Sequence, residues 1–342
     1  MQPTGYESYS NGEIPRGCQL CVRGRKLVLF ITGVCTKSCY FCPLSEQKFH
    51  KDVIYANERQ INDLKEIIEE AKISSAQGAG ITGGDPLAKL DRTLETIKLL
   101  KKEFKNFHIH LYTPLDLVTE EILKKLEAAG LDEIRFHPDL DDDKFWNKLK
   151  YKTKMSKGIE IPCIPKKDIK KLIEYAKNDV EFFNLNELEY ADAEHNKLAE
   201  LGYTTKDEFS YGIEGSEDLA LEILKLYPKL KMHYCTTKLK DSVQMMNRIK
   251  LRAKNTKRPF DIITNEGTLI RGTIKGNESL EEMHKKVSKY FDNEIDKNKN
   301  RLICARNNLK KFSSKLKALN YKLEIVEELA TYDQFEIESE EI

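Results

Sequence analysis

Cys35-Thr36-Lys37-Ser38-Cys39-Tyr40-Phe41-Cys42 is the segment best equipped for chemistry, with three thiols at CxxxCxxC spacing. Thiolates select soft metals and iron–sulfur clusters. A closed structural site takes four protein ligands, whereas three leave one coordination position for a reactant. On a four-iron cubane, three cysteines leave one iron free. The other reading of the triplet is part of a zinc site completed from elsewhere in the chain.

Ile81-Thr82-Gly83-Gly84-Asp85-Pro86 is a second such segment. Glycines let a ligand approach backbone polar groups closely, although Gly-Gly-Asp-Pro alone is also an ordinary turn. A third is Cys18-Gln19-Leu20-Cys21, a knuckle spacing that needs further ligands to complete a tetrahedron. In Met232-His233-Tyr234-Cys235, His233 and Cys235 fall on one side of a strand. With Cys18 and Cys21 they make a Cys3His set for a second metal, either zinc or an auxiliary iron–sulfur cluster. Equally, the CxxC is free and Cys235 is a core thiol, as unpaired cysteines often are. Cys163 and Cys304 lie in apolar surroundings and read as packing.

The elements that position these residues follow from hydrophobic periodicity. Apolar runs at Leu27 to Ile31, Gly80 to Thr82, Phe107 to Tyr112, Glu133 to Phe136, Ile159 to Cys163, Val180 to Leu185 and Leu230 to Cys235 read as strands. Helical spacing links them at Ile61 to Ala71, Leu90 to Leu99, Val118 to Ala129, Phe145 to Tyr151, Ile169 to Ala176, Ala191 to Leu201 and Leu219 to Leu226. Such alternation makes a parallel sheet with helical crossovers. The number of units points to a full or partial (β/α) barrel, with chemistry at the carboxyl ends of the strands; a doubly wound open sheet is the alternative. After Met246 the pattern changes. Pro259 to Ile263 and Thr268 to Ile274 read as a hairpin, Leu280 to Tyr290 and Leu302 to Leu319 as helices, and Leu323 to Val326 and Phe335 to Ile337 as closing strands. The expected organisation is an N-terminal segment 1–26 with the CxxC, an α/β partial barrel over 27–246, and a small α+β domain over 247–342.

The triplet, with the aromatic Phe41 before its third cysteine and its position after the first strand, resembles the radical S-adenosylmethionine (SAM) superfamily. That resemblance implies a 4Fe–4S cluster on Cys35, Cys39 and Cys42. Its free iron is chelated by the amino and carboxylate groups of SAM, and one electron then yields a 5′-deoxyadenosyl radical that abstracts hydrogen from substrate. The cofactor carries the hard chemistry while the protein binds, orients and excludes water. Gly83-Gly84-Asp85 is similar to the family's Gly-Gly-Glu motif, whose backbone holds the methionyl amino group; Asp85 stands where the family has Glu. Later strand ends offer weaker matches: Tyr112 and Thr113, Arg135 and His137, Glu160, then Asn184 and Asn186 with Glu187 and Glu189. Of these, Arg135, Asn184 and Asn186 are carried as cofactor contacts. An electron donor such as ferredoxin or flavodoxin is implied.

Most of the chain also resembles an archaeal group related to pyruvate formate-lyase activating enzyme. The segments carrying this are Gly17 to Cys21, the triplet, Ile134 to Pro138, Asn184 to Glu189 and His233 to Cys235. It supplies no substrate, because "activating enzyme-related" is analogy at the level of fold. A cluster- or zinc-binding module without turnover is the reading from a different class; the glycine pair argues against it, since such a module needs no methionine cradle.

Charge narrows the substrate little. The 342 residues are 33% charged yet balance at +1, so net charge names no partner. Residues 248–322 hold 20 Lys or Arg against 8 Asp or Glu, and the last twenty residues hold eight acids and no base. A basic face of that kind suits RNA, or is the solvated side of an apolar stripe through Leu302, Leu309 and Leu316. Protein, metabolite and RNA substrates all stay open. The N-terminus shows no signal-peptide pattern and no apolar run spans a membrane, so a cytoplasmic location is expected, where eight cysteines suggest metal rather than disulfides.

Overall fold

A computed structural model describes residues 1–165 and 167–342. The chain divides into two units: residues 1–72 with 76–245, and residues 73–75 with 246–342. The N-terminal segment is therefore part of the first unit.

In the first unit the elements run β1 (Tyr9–Asn11), α1 (Arg16–Val22), β2 (Lys26–Phe30), α2 (Lys65–Ile73), β3 (Gly78–Thr82), α3 (Leu90–Glu103), β4 (His108–Pro114), α4 (Glu120–Ala129), β5 (Glu133–His137), β6 (Ser156–Cys163), α5 (Ile169–Ala176), β7 (Phe182–Glu187), α6 (Ser216–Leu226) and β8 (Met232–Cys235). Strands β2 to β8 pair in parallel in the order β2-β3-β4-β5-β6-β7-β8. β1 adds antiparallel to β8, and a short ladder at Tyr55–Ala56 and Arg59–Gln60 lies beyond β2. The pairing does not close among the described residues, so this is a partial barrel.

Alternation along each strand separates two faces. Leu27, Leu29, Ile81, Ile109, Leu111, Ile134, Phe136, Ile159, Ile161, Phe183 and Leu185 are buried in one apolar core with Ile67, Ile97, Leu123, Leu126, Leu172, Ile173 and Ile223 of the helices. Lys26, His110, Arg135, Glu160, Asn184 and His233 occupy the alternate positions and face the interior. That interior is polar, and it receives α1, which packs on β2, β3 and β4. Gly17 allows the approach: a Cβ there would stand 2.2 Å from His110 Nδ1 and 2.5 Å from Arg135 Nη2.

Two sequence expectations change. Residues 191–201 do not form a helix. Glu194 N–H donates to the Glu46 carboxylate at 3.0 Å and Lys197 N–H to the Tyr40 carbonyl at 2.7 Å, so backbone donors are drawn out to partners elsewhere. The expected helix from Leu302 begins only at Arg306, because Arg301 to Cys304 is a strand. Those four residues are all buried, so no alternation marks them in sequence.

The second unit contains α7 (Met246–Thr256), β9 (Leu269–Lys275), α8 (Leu280–Val287), β10 (Asn293–Asp296), β11 (Arg301–Cys304), α9 (Arg306–Lys317), β12 (Lys322–Glu328) and β13 (Glu336–Glu341). Its antiparallel sheet has the order β10-β11-β9-β12-β13. Ile274, Met283, Leu302, Leu309, Leu316, Leu323 and Ile325 form its core beneath α8 and α9.

Gly17→Ala should destabilise the first unit by about 1–3 kcal/mol, the usual cost of overpacking a filled interior. Denaturant unfolding of the variant measures this. An unchanged midpoint would mean that α1 does not sit against His110 and Arg135.

Candidate active site

The loop after β2 carries Cys35, Cys39 and Cys42, and its base is fixed from several sides. Thr32 Oγ1 donates to Asp52 at 2.9 Å, and Arg92 holds both the Asp52 carboxylate, at 2.6 Å, and the Ile31 carbonyl, at 3.0 Å. Hydrogen bonds from Arg92, Lys89 and Thr32 keep the Asp52 carboxyl well below the usual range. The end of β3 is stitched to the same loop: Gly84 N–H donates to Thr32 O and Asp85 N–H to Val34 O, both at 2.8 Å. A Cβ on Gly84 would lie 2.5 Å from Val34 O and 2.8 Å from the Cys35 Cβ. The glycine pair thus abuts the cysteine loop directly.

The three cysteines are half-buried and free of disulfides. Burial raises all three thiols, Cys39 to about 12 with Cys42 and Cys35 adding repulsion. A cationic iron centre supplies the charge that such thiolates lack. Their ligand atoms do not gather within reach of a single ion, which is the expectation for thiolates on separate irons of a cubane. The donor set fits the cluster. Beside it lies a cavity of about 200 Å³, lined by Lys37, Cys39, Phe41, His137, Asp139 and Pro162 among others.

One oxygen of the Asp85 carboxylate is taken up locally, while Oδ2 is buried without a hydrogen-bond partner among the described residues. Its Oδ1 accepts from Leu87 N–H at 3.0 Å and Thr113 Oγ1 at 2.8 Å, capping the turn at Pro86–Lys89. Burial raises its carboxyl to about 6, despite those two donors.

Arg135 and Asn184 are buried on the inner face of the sheet. Arg135 is 2% exposed and bonds Glu133 through Nε and Glu160 through Nη1 at 2.7 Å. Asn184 donates to Glu160 Oε2 at 2.9 Å, and Asn186 to Glu160 Oε1 at 3.1 Å. Only Asn186 of these is half-exposed. All three donate to the Glu160 carboxylate, which they hold ionised against burial.

Cys18 completes this cluster. Its Sγ accepts from Arg135 Nη2 at 3.4 Å and Asn184 Nδ2 at 3.3 Å. Burial alone would raise the thiol, but Arg135 and His233 bring it down to about 7. Cys21 donates to Gln244 Oε1 at 2.9 Å, and Gln244 Nε2 lies 3.7 Å from Cys235 Sγ. Cys18, Cys21, His233 and Cys235 therefore share the interior wall, but their ligand atoms do not converge on one ion position. His108, His110 and Glu133 do converge. There, however, the Lys26 ammonium already contacts His110, at 2.6 Å from Nδ1, and Arg135 contacts Glu133. Those cations fill the role a metal would have.

Sequence reasoning passed over Lys26, Glu133, Lys37 and Gly17. Glu133 and Arg135 at i, i+2 within an apolar strand were the available signal, since buried charges need partners. The basic stretch of the second unit is also resolved: Lys275 and Lys322 pair with Glu324, Lys299 and Arg301 with Glu336, and Lys310 with Glu340. The acidic tail thus pairs with part of the basic stretch.

Residues 29–179 match the model of the radical SAM superfamily. A protein of Methanocaldococcus jannaschii, provisionally named a glycyl-radical enzyme activating enzyme, is 47% identical over 287 residues, covering 79% of this chain and 76% of that protein. Biotin synthase of Neisseria meningitidis is 29% identical over 133 residues, 38% of this chain and 36% of the synthase. Among solved structures, the radical SAM methyltransferase TsrM of Kitasatospora setae aligns with a TM-score of 0.39 at 11% identity, over 70% of this chain and 55% of the other.

Gly84→Ala should lower iron and sulfide uptake as well as SAM affinity, because the added Cβ strikes the cysteine loop itself. Iron analysis after anaerobic reconstitution, alongside equilibrium binding of SAM, reads both. Full cluster content with wild-type affinity would show that the contact is dispensable.

Proposed function

We propose that this chain, which belongs to the radical SAM superfamily, is an activating-type enzyme whose substrate is a polypeptide segment of a partner protein. Family membership carries with it the 4Fe–4S cluster and SAM. When bound, they supply the electron transfer that breaks the sulfonium–carbon bond and the 5′-deoxyadenosyl radical that abstracts substrate hydrogen. This chain's part is to bind and orient. Cys35, Cys39 and Cys42 are the cluster ligands in this reading, Gly83 and Gly84 hold the methionyl end through backbone groups, and Phe41 and His137 border the cavity beside the cluster.

The observation that supports a macromolecular substrate is the filled interior. α1 and the Arg135–Glu160 network occupy the inner face of the sheet, so the reacting group is presented at the strand ends instead of being engulfed. The name of the Methanocaldococcus relative agrees with a protein substrate. RNA is less favoured, because Lys275, Lys299, Lys310 and Lys322 of the second unit's basic stretch are paired with acids of the C-terminal tail. A small ferredoxin or flavodoxin is the proposed reductant. A cytoplasmic setting suits eight unpaired cysteines; no described helix is long and apolar enough to cross a membrane. Arg135, Asn184 and Asn186 act in this reading by fixing Glu160 beneath the site.

A second metal on Cys18, Cys21, Cys235 and His233 is the finer part of the proposal. The thiol of Cys18, already held near neutrality by Arg135, favours a soft ion. Such an ion has to displace Gln244 from between Cys21 and Cys235.

Reduced, reconstituted protein should form 5′-deoxyadenosine from SAM, and the variant with Cys35, Cys39 and Cys42 all changed to Ala should lose both product and cluster spectrum. An intact cluster in that variant refutes the ligand assignment. In the same background, residual zinc or iron on the order of one site per chain, lost on Cys18→Ala and on Cys235→Ala alike, supports the second metal. No residual metal, or loss with only one substitution, removes it.

A further inference from the structure

Lys37 lies between the first two cysteines of the triplet, yet its side chain leaves the loop. Its Nζ is 3.2 Å from Asp139 Oδ2 and 3.4 Å from Asp116 Oδ1. Asp116 lies two residues beyond β4 and Asp139 two beyond β5. One ammonium therefore ties the cysteine loop, which leaves β2, to the ends of two other strands across the mouth.

Both anchors are themselves held. Asp139 Oδ1 accepts from Asp141 N–H at 2.9 Å, and its carbonyl accepts from Nε1 of the buried Trp146 at 2.9 Å. The Asp116 carbonyl accepts from Lys148 Nζ at 2.7 Å. Trp146 and Lys148 belong to one short turn at Trp146–Lys150, so the backbones that carry the two carboxylates are held by the same piece of structure. The three side chains are only partly exposed, at 23%, 20% and 36%. At its other end Lys37 touches the cluster loop, with its backbone N–H 3.4 Å from Cys35 Sγ. Lys37 and Asp139 also line the cavity beside Cys39.

We propose that Lys37 is a positioning residue for the cluster: its ammonium latches the cysteine loop onto Asp116 and Asp139 and sets the local charge against which the cluster is reduced. This rests on Cys35, Cys39 and Cys42 being the cluster ligands. Ion pairs near the surface add little to stability, so the latch acts on geometry and potential. Reduction adds negative charge, and cluster potentials follow nearby net charge. Removing the cation makes reduction harder, and neutralising one carboxylate makes it easier. A merely structural contact would not give opposite signs.

The test uses the full chain with Lys37→Met, Lys37→Arg and Asp139→Asn, each reconstituted anaerobically. Iron and sulfide content, the electron paramagnetic resonance signal of the reduced state, and the midpoint from a dye-mediated potentiometric titration are measured, with thermal melting by circular dichroism as the folding control. The midpoint should move to more negative values in Lys37→Met, to less negative values in Asp139→Asn, and stay near wild type in Lys37→Arg. If Lys37→Met is folded but takes up little cluster, restored uptake in Lys37→Arg supports the latch, and equal loss in both overturns it. Unchanged midpoints with full clusters, or shifts of the same sign, also overturn it. Failure of the wild-type protein to take up a cluster at all would refute the ligand assignment instead, so the two claims fail in different ways.

Discussion

The first unit is organised around one buried cation. Arg135 has no solvent to rely on, and a guanidinium in that position is tolerated only with complete pairing. Glu133 and Glu160 supply the charge, while Cys18 accepts a further N–H. The Arg135 Cζ lies 5.3 Å from the centroid of the Tyr112 ring and 5.6 Å from that of Phe182. Removing one partner of such a network typically costs about 3–5 kcal/mol, because the other is left buried and unpaired. That is a large share of a domain's net stability.

The same network docks the plug helix. Gly17 N–H donates to Glu133 at 3.3 Å, and the Gly17 carbonyl accepts from Lys26 Nζ at 3.0 Å. A residue with a side chain could not bring its peptide group there. The N-terminal segment is thus bound into the unit at both ends, since Asn11 also donates to the Leu224 carbonyl at 2.7 Å. With the interior occupied by ionic and helical structure, the cysteine loop lies at the rim where the strands end.

At that rim the backbone does much of the positioning. Gly33 and Gly84 permit chain segments to meet at distances that a Cβ forbids: one on Gly33 would fall 1.7 Å from Lys48 O. Asp52, Arg92 and Thr32 fix the base of the cysteine loop, and Lys37 fixes its tip. The aromatic pair Tyr40 and Phe41 packs against Leu188, Leu198 and Ile213, joining the loop to the long connection after β7. These restraints limit the conformations open to a surface loop that carries three thiols.

The sequence by itself determined the chemistry and the architecture that presents it. CxxxCxxC spacing after a strand, Gly83-Gly84 after the next, and alternation of strand and helix are local patterns, readable without coordinates. The boundaries of α5 and the parallel strand series were legible for the same reason, since an apolar face repeats at a fixed period. Tertiary structure alone decided what the interior polar residues do. Arg135, Asn184 and Asn186 end strands in the sequence reading, which cannot say that in the fold they hydrogen-bond to Glu160, about 25 positions from each, and two of them to Cys18, far away in the chain. Residues 191–201 carry helical spacing, yet their backbone donors are claimed by Glu46 and Tyr40. Arg301 to Cys304 carry helical phase, yet they pair between β9 and β10. Periodicity reports which face of an element is apolar; only the folded chain settles which distant charge or backbone group sits opposite it.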